Sequence, residues 1–262
     1  MEGVFDATFR EDRYSARKSA LSVMSQLVSE EAARERELKA VAEGGGKRKG
    51  GKGGRGRNKR KTGKSADKTV GITDLMYNAL MSEFESTKSE MQEVLSSSKG
   101  DLPTLLEASK RWESRLCGVC LGLGTMVEHF WTKHGSAALT FLRDDILTPC
   151  MSDGFDMYQG QEEKPNKSPF VTAHMLWLVY QCIEHMNPAL NQCVMDTGLE
   201  CMNIKDEEAE EENGDGEETN GDLSLSGLDI EFEERSWKPV RVTATHAVYK
   251  LIQERYEKAS LR

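Results

Sequence analysis

The sequence predicts an all-α protein, a helical bundle or short α-solenoid core joined by charged, disordered linkers. Three observations carry that prediction. Apolar residues recur at helical spacing through most of the chain. No segment alternates with period two for long, and no Asn-Gly turn sits between β-branched runs. The charge, finally, is sharply divided. Residues 44–68 carry eleven Lys or Arg against one acid, Asp67, a balance of +10 inside a chain of net charge −9, so the remainder sums to −19. A chain of 262 residues allows one or two domains, and 37% hydrophobic with 30% charged residues leaves part of it outside any core.

Residues 1–43 are expected to hold an amphipathic helix. Leu21, Met24, Leu27 and Val28, then Leu38 and Val41, mark its apolar stripe among Arg, Glu and Lys, and Gly44–Gly46 stop it. The stripe thins between Val28 and Leu38, which points to a partly exposed or partner-seeking helix of coiled-coil character. Residues 44–69 have nine Gly in their first twenty positions and almost no apolar side chain. Too little surface can be buried there to offset backbone entropy, so disorder is expected.

Residues 70–204 read as the core domain. Met76, Leu80, Phe84, Met91 and Leu95 share a face, with Thr73 or Asp74 as N-cap and Gly100 as the stop. Asp101 caps the next helix and Pro103 occupies its first turn, where a missing N–H costs nothing. From Cys117 to Trp131 the chain is apolar on all sides, which predicts one continuous helix, the most buried of the fold. Gly118, Gly122 and Gly124 let another helix approach closely or mark a kink. A shorter helix ends at Pro149, residues 152–169 form a loop, and a buried helix runs from Phe170 to about Met186. Asn187-Pro188 then starts another turn or two. Trp112 and Trp177 belong to the core.

Residues 205–234 are expected to be disordered, with ten acids between Asp206 and Asp222. Residues 235–262 end in a second amphipathic helix, striped by Val248, Ile252 and Tyr256, that docks on the core or on a partner. The start of the chain is charged and lacks the apolar stretch of a secretory signal. The longest apolar patches are too short or too interrupted to span a membrane. Together with six cysteines in apolar surroundings, these features point to free thiols in a reducing compartment.

The candidate functional residues emerge from this layout. Lys47, Arg48, Lys49, Lys52, Arg55, Arg57, Lys59, Arg60, Lys61 and Lys64 form a basic tract on a Gly-rich backbone. Such a tract can track a phosphate chain with salt-steep, sequence-blind affinity, or engage an import receptor. It holds no aromatic residue for base stacking. The duller reading is a solvated linker. The "TGKS" within it is not a phosphate loop, because Asn58 stands where the pattern needs Gly and no strand precedes it.

The acidic tract 206–222 is either a solvating spacer or a polyanion mimic for a basic partner, and phosphorylation at Ser224 or Ser226 extends it. Leu225, Leu228, Ile230 and Phe232 resemble the apolar anchors of a short docking motif with acidic flanks. Cys117-x-x-Cys120 with His129 and His134 superficially offers a zinc set. The eight-residue interval between the pairs is short for a finger, and such Cys are more often small core residues. The Cys-Gly-Val-Cys motif lacks the βαβ frame of a redox protein. His174, Glu184 and His185 read as core or rim residues, and Asp144-Asp145 as the polar face of a short helix rather than a metal or acid pair.

No catalytic constellation and no cofactor are expected. The function expected is a non-catalytic adaptor of the nucleus or nucleolus, with helices for partner proteins and the basic arm for RNA or DNA. The alternative is a cytoplasmic helical subunit of a larger assembly, with both charged tracts as spacers.

Overall fold

The computed structural model describes residues 14–44, 71–97, 102–151, 155–156, 167–204 and 237–260. The basic tract 47–64, the acidic tract and the anchors Leu225, Leu228, Ile230 and Phe232 lie outside these residues. The fold is an all-α bundle, as its periodicities predict.

Helix α1 (Tyr14–Gly44) buries Ala20, Leu21 and Met24, half-buries Leu27 and Val28, and is exposed at every residue from Ala33 to Ala40. Its Glu31 closes the start of α2 (Ile72–Ser97). The N–H groups of Ile72 and Thr73 donate to Glu31 Oε1 and Oε2 at 2.9 and 2.6 Å, satisfying two donors that a helix start leaves open. Helix α2 buries Met76, Leu80, Phe84 and Met91 on the expected face. Arg115 of α3 (Leu102–Gly124) bridges Glu83 and Glu90 of α2, and Trp112 of α3 is fully buried.

The continuous helix expected over Cys117–Trp131 does not form. Helix α3 ends at Gly124, a turn takes Thr125 and Met126, and α4 (Val127–Phe141) begins afresh. Two glycines in three residues weaken the helix here, and the Thr125 hydroxyl folds back to donate to the Gly122 carbonyl at 2.7 Å. Gly124 also gives room to a neighbour. A Cβ on it would lie 2.2 Å from the Trp177 ring. Helix α4 is itself kinked, with His134 at φ −124°, ψ 20°.

Pro149 does not end the segment in which it lies. A π-helical turn, Leu142–Leu147, leads into α5 (Thr148–Met151), and the Thr148 N–H reaches back five residues to the Arg143 carbonyl. The wider turn offsets the ladder, so a residue without an N–H fits the first turn of α5. Within the stretch expected as a loop, Phe155–Asp156 (β1) pairs antiparallel with Lys167–Ser168 (β2).

Helix α6 (Pro169–Cys182), rather than 117–131, is the most enclosed: every residue from Val171 to Val179 is buried. Ser168 caps it, accepting from the Val171 N–H at 3.2 Å, with Pro169 in the first turn. After a 3₁₀ turn (Ile183–His185) comes α7 (Pro188–Met202), capped by Asn187 accepting from the Leu190 N–H at 2.8 Å. It is a full helix, longer than the turn or two expected. Helix α8 (Lys238–Ser260) docks on α6 and α7 through Val240, Ala244, Ala247, Val248 and Leu251. Leu21 and Met24 of α1 and Ala247 and Leu251 of α8 belong to the same core as α2 to α7, so both terminal helices complete it.

Among the described residues, no helix is long and apolar enough to cross a membrane.

Candidate functional site

The stripe expected on the C-terminal helix divides. Val248 is buried against α7, with Cγ2 only 2.5 Å from where a Cβ on Gly198 would stand. Ile252 and Tyr256 point outward, 50% and 76% exposed, and Tyr249, 59% exposed, joins them. Positions 249, 252 and 256 share one helical face, whereas 248 lies a quarter-turn away from 249 on the core side. Periodicity finds the helix but mixes its two faces. The signal that separates them is the small-residue set Ala244 and Ala247, which lets α8 lie close to α7 on one side only.

Beside that face runs a cleft whose walls include Tyr180, Glu184, His246 and Tyr249. Lys250 lies across it, 2.9 Å from Glu184 and 4.7 Å from the centre of the Tyr180 ring, and donates to the Tyr180 carbonyl at 3.4 Å.

The Cys117–Cys120–His129–His134 set is not assembled. All six cysteines are free thiols, and both Cys117 and Cys120 are buried in α3. Burial, reinforced by the neighbouring Cys182, pushes the Cys120 thiol up to about 12, and burial drives Cys117 upward as well. Neither is poised as a thiolate, the form in which a cysteine reacts. Cys117 Sγ faces the Phe170 carbonyl at 4.0 Å.

The two histidines converge instead on Asp74, in the first turn of α2. One ligand atom from each of Asp74, His129 and His134 lies within 4.8 Å of the others, and this is the one such group among the described residues. His129 Nε2 approaches Asp74 Oδ1 to 3.0 Å. Tyr77 stacks on the His134 ring, centroids 3.8 Å apart and 12° from parallel. Lys133 reaches Asp74 Oδ2 at 3.2 Å and Glu35 of α1 at 3.7 Å. Burial lowers the His129 pKa, with Lys133 acting in the same direction against the pull of Asp74. For the Glu31 clasp nearby, burial raises the pKa, but the hydrogen bonds from Thr73 and Ile72 outweigh it and the net shift is down. Sequence spacing does not point to Asp74. It lies 55 positions before His129, and the two histidines meet only because α4 bends at His134.

The remaining candidates have structural partners. Asp144 pairs with Arg143 on the surface and Asp145 with Lys88 at 2.5 Å. His174 is buried with Nδ1 on the Phe170 carbonyl at 2.8 Å, and His185 stacks on Trp131.

Comparison of the chain with family models, with curated proteins and with solved structures returned no match.

Proposed function

We propose that this chain is a non-catalytic nuclear adaptor that binds partner proteins through helical surfaces and contacts RNA or DNA non-specifically through its basic arm. One observation carries the reading. Both terminal helices use one part of their surface to complete the core and leave another part largely exposed among the described residues. On α8 that part is the Tyr249, Ile252 and Tyr256 face. On α1 it is the segment beyond Glu31, exposed from Ala33 to Ala40, with Leu38 71% exposed. That segment extends ~20 Å from Glu31 to the helix end at Gly44, at 1.5 Å per residue. In sequence, the ten Lys and Arg residues between 47 and 64 follow directly after this helix end.

The physical case for polyanion binding is counterion release, each phosphate contact displacing a condensed cation. The test is binding of the full chain to a generic single-stranded RNA and to duplex DNA at two salt concentrations. Beside it stands a variant with every Lys and Arg from Lys47 to Lys64 changed to Gln. The wild type should bind with an affinity that falls by about 0.9 log unit per log unit of salt for each duplex phosphate contacted, and the variant should not bind. Absence of binding by both proteins, or equal binding by both, rejects the arm.

The alternative, a cytoplasmic subunit of a larger helical assembly, rests on the α8 face alone. It is favoured if a partner co-purifies stoichiometrically with the Gln variant.

A further inference from the structure

The cluster at the junction of α1, α2 and α4 has a chemistry that the adaptor reading does not use. We propose that Asp74, His129 and His134 form a binding site for a borderline divalent transition ion, with zinc as the test ion, that ties the first turn of α2 to the kink of α4.

Four observations support it. The donor set is two imidazoles and a carboxylate, a combination that suits zinc and its neighbours and disfavours magnesium or calcium, which take oxygen ligands. The spacing fits. The three ligand atoms lie within 4.8 Å of one another, and His129 Nε2 lies 3.0 Å from Asp74 Oδ1, against about 3.3 Å between donors around a tetrahedral zinc bonded at ~2.05 Å.

The third observation is an imidazole nitrogen without a hydrogen bond among the described residues. His134 Nε2 is buried with no hydrogen-bond partner. Buried polar atoms are rarely left so. Fourth, the geometry is held from outside. Tyr77 stacks on His134, and the local break in helical φ/ψ at His134 brings residues five apart to one side of α4. With three protein ligands, a fourth position remains for water.

One group opposes the ion. The Lys133 ammonium lies 3.3 and 3.2 Å from the two Asp74 oxygens. Its side chain is about a third exposed, and Glu35, 3.7 Å away, offers it an alternative anion. Metal binding therefore displaces Lys133 toward Glu35, and Lys133 sets the affinity by competition.

The experiment uses the full chain, stripped with a chelator and titrated with Zn²⁺ and Co²⁺, read by bound-metal stoichiometry, by Tm and by the visible spectrum of the Co²⁺ form. The wild type should bind one tight equivalent, with a raised Tm and a cobalt spectrum free of the sulfur-to-metal charge-transfer band. His134→Ala and Asp74→Asn should lose the equivalent and the Tm increment. Lys133→Met should bind several-fold more tightly. This gain of affinity cannot come from misfolding, so it protects the test from variants that fail to fold. No tight binding by the wild type, a thiolate band, or unchanged binding in His134→Ala would each overturn the site.

Discussion

His174 shows how a single side chain sets a measurable property of this fold. Its imidazole is 4% exposed in the most enclosed helix, and Nδ1 donates to the Phe170 carbonyl one turn back. Burial lowers its pKa to about 4, against the pull of that carbonyl, and Arg17 adds to the lowering. The folded-state pKa lies below the unfolded value of about 6.5, so the ring contributes no pH dependence above that point. As pH falls below it, the unfolded chain gains a proton that the folded chain refuses. Stability then drops by up to about 1.4 kcal/mol per pH unit until the folded ring titrates near 4. His129, also shifted down, acts in the same direction. Urea unfolding between pH 7 and pH 5 should show this slope in the wild type and a shallower one in His174→Gln. Equal slopes would mean that His174 accepts a proton in the folded state. At this scale the sequence is informative where partners are local. His174 and its carbonyl are four residues apart on a helix that reads as buried, whereas the joining of Asp74 to His129 and His134 depends on a kink that no spacing rule encodes.

Between elements, glycine decides how closely the helices approach. A Cβ on Gly124 would stand 2.2 and 2.5 Å from two atoms of the Trp177 ring, and that tryptophan is only 4% exposed. Gly135, in α4, has nothing within 4 Å of the same position. Gly124→Ala should therefore destabilise by about 1–3 kcal/mol through overpacking. Gly135→Ala should be neutral or stabilise by up to about 1 kcal/mol through helix propensity. Chemical denaturation of the two variants checks both signs, and equal effects would mean that Trp177 gives way without cost. The sequence marks Gly122 and Gly124 as points of close approach or kinking, and α3 does both: it packs closely there and then ends. The break itself is hidden because apolar residues occupy every side of Cys117–Trp131, so periodicity registers no interruption. The helix after Asn187-Pro188 reads as too short for a related reason. Its exposed face, with Gln192, Asp196 and Glu200, dilutes the apolar signal. Pro149 misleads because a proline after an apolar run ordinarily stops a helix, whereas here a π turn has already shifted the hydrogen-bond ladder.

Across the whole molecule, α8 has two duties that substitution can separate. Leu251 is fully buried in the core and Val248 lies against Gly198, whereas Ile252 and Tyr256 face outward on the same turns. Leu251→Ala should cost about 2–5 kcal/mol and lower the urea midpoint whether or not a partner is present. Ile252→Ser with Tyr256→Ser should leave the stability of the isolated chain within about 0.5 kcal/mol, as expected for surface positions. If the face docks a partner, the pair should abolish stoichiometric co-purification while leaving polyanion binding by the basic arm intact. The two activities are expected to separate because the arm starts from the far end of α1, whereas the docking face belongs to α8. A large stability loss from the surface pair would mean that the chain covers this face with its own residues, and the partner surface would have to be sought on the exposed end of α1 around Leu38.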